Sequence, residues 1–167
     1  MITTLTYRRL FLGLTALAVT VLATVLIAEY GFDLKPCELC QWQRLPYVVT
    51  LLFGVLGIVF TDRSKVERVL HLLLIVTFIG STVLATYHAG VEKKIFTGPT
   101  ACSSQGLGDN PTLEELKAQI MGAPIVACNE PAWQWHGITM AGMNAVLSLV
   151  VLLLLVSIWI RKRRKAA

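Results

Sequence analysis

Several patterns are missing from this 167-residue chain. No glycine-rich phosphate-binding motif is present, so nothing stands ready to hold a flavin or a nicotinamide dinucleotide. The three histidines, His71, His88 and His136, form no cluster. Two of them fall on one apolar run at opposite depths and the third in a loop, which excludes a haem clamped between facing helices. No internal repeat or low-complexity tract occurs. Cysteine is scarce, with only Cys37, Cys40, Cys102 and Cys128.

What is abundant is apolar sequence. Mean hydropathy is +0.66, and the apolar blocks are too long and too frequent for a water-soluble domain. A membrane-crossing helix needs about 20 such residues at ~1.5 Å rise each. Residues 10–28 give 19 without a charge, 45–60 give 16, 69–87 give 19 interrupted by His71, and 138–160 give 23. The second run reaches spanning length if residues 41–44 are already helical. Pro46 then lies inside a helix, where neighbours must satisfy the carbonyl it frees. The expected fold is an all-α integral membrane protein: one domain, a four-helix transmembrane bundle. Its spans lie at about 10–28, 43–60, 69–87 and 138–160, with extracytoplasmic loops at 29–44 and 88–137.

Lys and Arg counts orient the bundle. Ten basic residues fall on the face holding both termini and the turn around residues 61–68, against five on the other; eight of the ten acids are on that other face. Both termini are expected in the cytoplasm and all four cysteines outside. The net charge of +5 reflects this anchoring and implies no nucleic-acid partner. Arg8-Arg9 resembles a twin-arginine export signal, but the apolar run behind it is longer than a cleavable core and no small-x-small site follows. A permanent anchor is expected.

The first outward loop carries Lys35-Pro36-Cys37-Glu38-Leu39-Cys40-Gln41-Trp42-Gln43-Arg44. A ring closed across two residues removes little chain entropy, and Cys-x-x-Cys bridges open and close readily. Pro36 suits a helix start. Cys40 is expected near the positive end of the second helix, where free N–H groups favour a thiolate. Arg44, four residues on, shares its face and is a cation that cannot lose its proton. The plainer alternative for Arg44 is a snorkelling interfacial residue.

The second loop has 50 residues, long enough to demand a purpose. Cys102 lies between turn-rich stretches, where a partner protein could reach its sulfur. Thr112 to Glu115 form a capping box, and Leu113, Leu116 and Ile120 share one face, so a short amphipathic helix is expected there, lying on the membrane or on the loop. Cys128 follows, close to Trp133 and Trp135, which with Trp42 and, on the other face, Trp159 mark the interfaces. His71 is expected at the cytoplasmic interface. His88 ends the third helix on the same side as Cys40 and Arg44. There it either donates a hydrogen bond or proton, or complements the helix terminus.

Four outward cysteines could hold zinc, but Cys102 and Cys128 are 26 residues apart and no histidine cluster assists, so no metal is expected. A passive disulfide brace explains Cys102 and Cys128 and leaves Cys37–Cys40 without a reason. Thiol–disulfide exchange passing electrons to a lipid-soluble quinone accounts for both pairs.

This ordered set resembles the DsbB family of thiol:quinone oxidoreductases over almost the whole chain. It comprises four spans, inward termini, Lys-Pro-Cys-x-x-Cys before the second helix, an arginine four residues on, and a second cysteine pair in the long outward loop. The resemblance implies a bacterial inner-membrane enzyme that reoxidises a DsbA-like periplasmic thioredoxin-fold protein. Cys102 would be attacked by that partner, and Cys128 would be its bridge partner and then exchange with Cys37. Cys40 would be the thiolate beside a ubiquinone or menaquinone, with Arg44, and less directly His88, binding the quinone. Vitamin K epoxide reductase-type enzymes also couple cysteine pairs to a quinone, but there the shuttle cysteines precede the Cys-x-x-Cys. A non-enzymatic braced scaffold is the alternative from another class.

Overall fold

The computed structural model describes residues 2–60, 63–99, 113 and 127–166. Among the described residues lie five helices and one small hairpin: α1 (Ile2–Gly31), α2 (Glu38–Trp42), α3 (Leu45–Val59), α4 (Ser64–Glu92), β1 (Gln134–Trp135), β2 (Ile138–Thr139) and α5 (Met140–Ala166). Four segments among the described residues are long and apolar enough to cross a membrane: Tyr7–Gly31, Glu38–Val59, Ser64–Glu92 and Met140–Arg164. The chain is an all-α membrane bundle. The amphipathic helix expected near residues 112–120 lies, but for Leu113, outside the described residues.

Helix α4 packs along α5, α1 along α3, and α3 against α4. Their outer faces stay apolar, with Val76, Val83, Val146 and Leu153 exposed, as suits lipid rather than water. Inside, Phe11, Leu74, Phe78 and Leu155 are fully buried. Between α1 and α3 the backbones come close because α3 offers glycine at the contact. A Cβ on Gly57 would strike the Phe11 ring, and one on Gly54 would strike Thr15 Oγ1. Small residues at such seams replace the hydrophobic drive that lipid does not supply.

Helix boundaries differ from the apolar runs. Charged and polar turns extend the helices beyond the lipid-facing stretch, so α1 runs to Gly31 and α4 to Glu92. The second span breaks at Gln43–Arg44 into α2 and α3, which puts Pro46 in the first turn of α3. There its missing N–H costs nothing, and the interruption falls just before it, at Gln43–Arg44, instead of inside one continuous helix. His71 is wholly buried near the basic end, where Nε2–H donates to the Leu155 carbonyl at 3.0 Å and the ring meets Tyr7 and Trp159 edge-on. It ties α4 to α5 at the end of the bundle that carries the basic residues. His136 and Gly137 form the two-residue turn of the hairpin, both at positive φ. Thr139 then accepts from Gly142 N–H and donates to Glu92, pinning the start of α5 to the end of α4.

Candidate active site

Pro36 precedes a helix too short to be stable alone, and Cys37 is its N-cap. The Cys37 sulfur accepts from the Cys40 N–H at 3.3 Å. Both thiols are free, with sulfurs in hydrogen-bond contact at 3.0 Å. His88 Nε2 lies 3.5 Å from Cys37 Sγ. Three groups, the Cys40 thiol, the Cys40 N–H and His88 Nε2, thus converge on one sulfur. The Cys40 thiol chiefly, opposed by burial and helped by His88 and the Cys40 N–H, lowers the Cys37 pKa to about 4. Sequence placed the helix-start N–H groups at Cys40; in the fold the Cys40 N–H serves Cys37.

Beside this dithiol opens a cavity of about 220 Å³, walled mainly by apolar side chains of α1, α5 and the loop that carries Leu34 and Pro36. Cys40 and Arg44 both line it, as do Gln43, Tyr47 and Asn144. Arg44 is held by Glu29 at the end of α1, Nη1 to Oε2 2.6 Å, with both side chains about one-fifth to one-quarter exposed. His88 is not among the lining residues. It stands behind Cys37, four residues before the end of α4, with Gln43 Nε2 2.6 Å from its Nδ1 and Glu92 Oε1 3.9 Å from its Nε2.

Three potential ligand atoms, from Cys37, Cys40 and His88, lie within 4.8 Å of one another. A soft cation could use them only with His88 Nε2 unprotonated. The cavity's donor set suits another kind of group. Apolar walls carrying one guanidinium, the Lys35 ammonium, two amides and a phenol fit a flat ring with carbonyl oxygens.

The family model for Disulfide bond formation protein DsbB matches residues 7–158. The chain belongs to the DsbB family. It is 31% identical over 154 residues to an uncharacterised protein of Rickettsia prowazekii, RP370, covering 89% of this chain and 86% of that one. It is 26% identical over 129 residues to disulfide bond formation protein B of Pseudoalteromonas translucida, covering 75% and 74%. To the protein of that name from Marinobacter nauticus it is 26% identical over 144 residues, covering 84% of each. It is therefore a multi-pass membrane protein of disulfide bond formation.

In this DsbB-family chain the described cysteines gather at one place. Cys128 is disulfide-bonded, 1% exposed, and buried in one cluster with Cys37, Leu39 and Val91, with Cys40 packed alongside. Cys102 lies outside the described residues. Sequence reasoning missed Glu29, Gln43, Tyr47 and Asn144. A signal existed for two of them: Asn144 interrupts a run of 23 uncharged residues, and Glu29 closes another, where an intramembrane polar group is a functional candidate by default. Gln43 carried no such mark.

Proposed function

We propose that this protein is a thiol:quinone oxidoreductase that reoxidises a DsbA-like thioredoxin-fold partner, with the cysteine end of the bundle in the periplasm and both termini in the cytoplasm. The observation that carries this reading is the shared wall: Cys40 and Arg44 line one apolar cavity immediately beside a free dithiol. The buried position of Cys128 in the Cys37 cluster supports exchange between the two pairs.

In the proposed cycle the partner's thiolate attacks Cys102 of a Cys102–Cys128 disulfide and releases Cys128. Cys128 attacks Cys37 of an oxidised Cys37–Cys40 pair and frees Cys40. The partner's second thiol closes the partner disulfide, and Cys102 returns to Cys128, which leaves Cys37 and Cys40 reduced. Each exchange breaks one S–S bond and makes one, so two electrons pass from the partner to the Cys37–Cys40 pair. A quinone, ubiquinone or menaquinone, supplies a two-electron acceptor when bound. Arg44 would hold its carbonyl oxygen and stabilise negative charge there. Closing Cys37–Cys40 gives up two electrons. With Cys37 already ionised it gives up one proton, from Cys40, and a second must come from outside the dithiol.

The decisive experiment is a visible spectrum of the purified protein titrated with quinone. A thiolate–quinone absorption band is expected once exchange with Cys128 engages Cys37 and frees Cys40, and it should be absent in Cys40→Ser. A band that persists in Cys40→Ser, or no quinone reduction by the reduced protein, would overturn the proposal.

A further inference from the structure

Side chains from three helices and the α2–α3 turn form one directional row of hydrogen bonds from the cavity to the dithiol. Tyr47 O–H donates to Asn144 Oδ1. Asn144 Nδ2–H donates to Gln43 Oε1 at 2.7 Å. That fixes which end of the Gln43 amide faces His88: the donor end, Nε2, 2.6 Å from Nδ1. An imidazole nitrogen that accepts carries no proton, so the proton of His88 is on the other nitrogen. There Nε2 faces two acceptors, the Cys37 sulfur at 3.5 Å and Glu92 Oε1 at 3.9 Å. Gln43 is 8% exposed and His88 1%, so water does not supply a competing donor.

We propose that Gln43 and Asn144 are positioning residues that hold His88 as the Nε2–H tautomer, aimed at the Cys37 sulfur. Neither amide touches Cys37. Asn144 acts two hydrogen bonds away, by deciding how Gln43 is turned. His88 in this arrangement is a fixed donor to the sulfur, and with Nε2 protonated it is no metal ligand.

The row has a second consequence. Tyr47, Asn144 and Gln43 are all cavity-lining groups. A ligand oxygen that captures the Tyr47 hydroxyl or the Asn144 amide competes for the same hydrogen bonds that set the tautomer. The cavity and the reactive sulfur are therefore linked through four side chains whose polarity runs one way.

The groups facing Cys37 and His88 are Cys40, Glu92 and Gln43; Arg44 is turned to Glu29. Neither Cys40 nor Glu92 provides Nδ1 with a donor in place of Gln43. The dithiol is taken here as the site of the proposed reaction, but the test uses no quinone, so its failure is separate from failure of that reading.

The experiment is 15N histidine NMR on the full-length, reduced protein in detergent micelles, with Cys37 alkylation against pH followed by tandem mass spectrometry. The wild type should show Nδ1 bare and Nε2 protonated. Gln43→Leu and Asn144→Leu should each give mixed tautomers, and the Cys37 profile should move up by about one pH unit, roughly a tenfold loss of thiolate at a given acidic pH. A wild-type spectrum with the proton on Nδ1 overturns the proposal without any variant, should both variants misfold. So do folded variants that keep a pure Nε2–H tautomer and an unshifted profile, the result expected if the amides only brace the helices.

Discussion

Arg44 Nη1 and Glu29 Oε2 lie 2.6 Å apart across the rim of the cavity, joining the end of α1 to the start of α3. The pair takes the one guanidinium at the dithiol and ties it to a helix it would otherwise not touch. A half-buried partner of this kind fixes the direction of a long side chain, which otherwise has many rotamers to lose on binding a ligand.

Glu29→Gln removes the charge but keeps the shape. It should raise the apparent KM for quinone about 3- to 10-fold, near 1 kcal/mol, with kcat little changed. Arg44→Ala should raise it further. Steady-state quinone reduction by reduced protein reads both; an unchanged KM in Arg44→Ala would show that the guanidinium holds no ligand.

The low pKa of Cys37 sets a pH window. With a folded value of about 4, Cys37 is thiolate throughout the neutral range and gains its proton only as pH falls toward 4. Iodoacetamide labelling of reduced Cys37 should stay nearly constant from pH 7 to about pH 5.5 and decline below. A thiol with an ordinary value near ~8.5 would instead lose about tenfold per pH unit over that interval.

Cys102→Ser should abolish oxidation of a thioredoxin-fold dithiol partner while leaving the reaction of Cys37–Cys40 with quinone intact. Parallel assays of the two half-reactions check this. A normal partner-oxidation rate would remove Cys102 from the proposed relay.

Gly57→Ala should destabilise the bundle by about 1–3 kcal/mol, because the new methyl occupies the space of the Phe11 ring. Gly13→Ala, with open space at its Cβ position, is the control and should be neutral or slightly stabilising. Thermal unfolding of the two variants in detergent compares them.

Much of the architecture was legible because spanning a membrane is a property of length and charge along the chain. A run such as residues 138–160 has few ways to satisfy its backbone in lipid except as a helix. The Cys37–Cys40 pair and Arg44 were legible for a similar reason, since their spacing is local. Pro46 was misplaced because a hydropathy window does not register a break between α2 and α3. The tie from His71 was not legible, because burial of a histidine depends on which carbonyl, here that of Leu155, comes within reach.

By itself, then, the chain determined four apolar spans, a Cys-x-x-Cys pair beside an arginine, and the family they belong to. The fold decided which sulfur collects the hydrogen bonds, where the cavity opens, and that Glu29, Gln43 and Asn144 belong to the site. Those last facts depend on groups 45, 51 and 101 residues apart meeting within 3.5 Å. Hydrogen bonds need direction and contact, and only packed helices supply both; hydropathy needs neither, which is why it can be read one residue at a time.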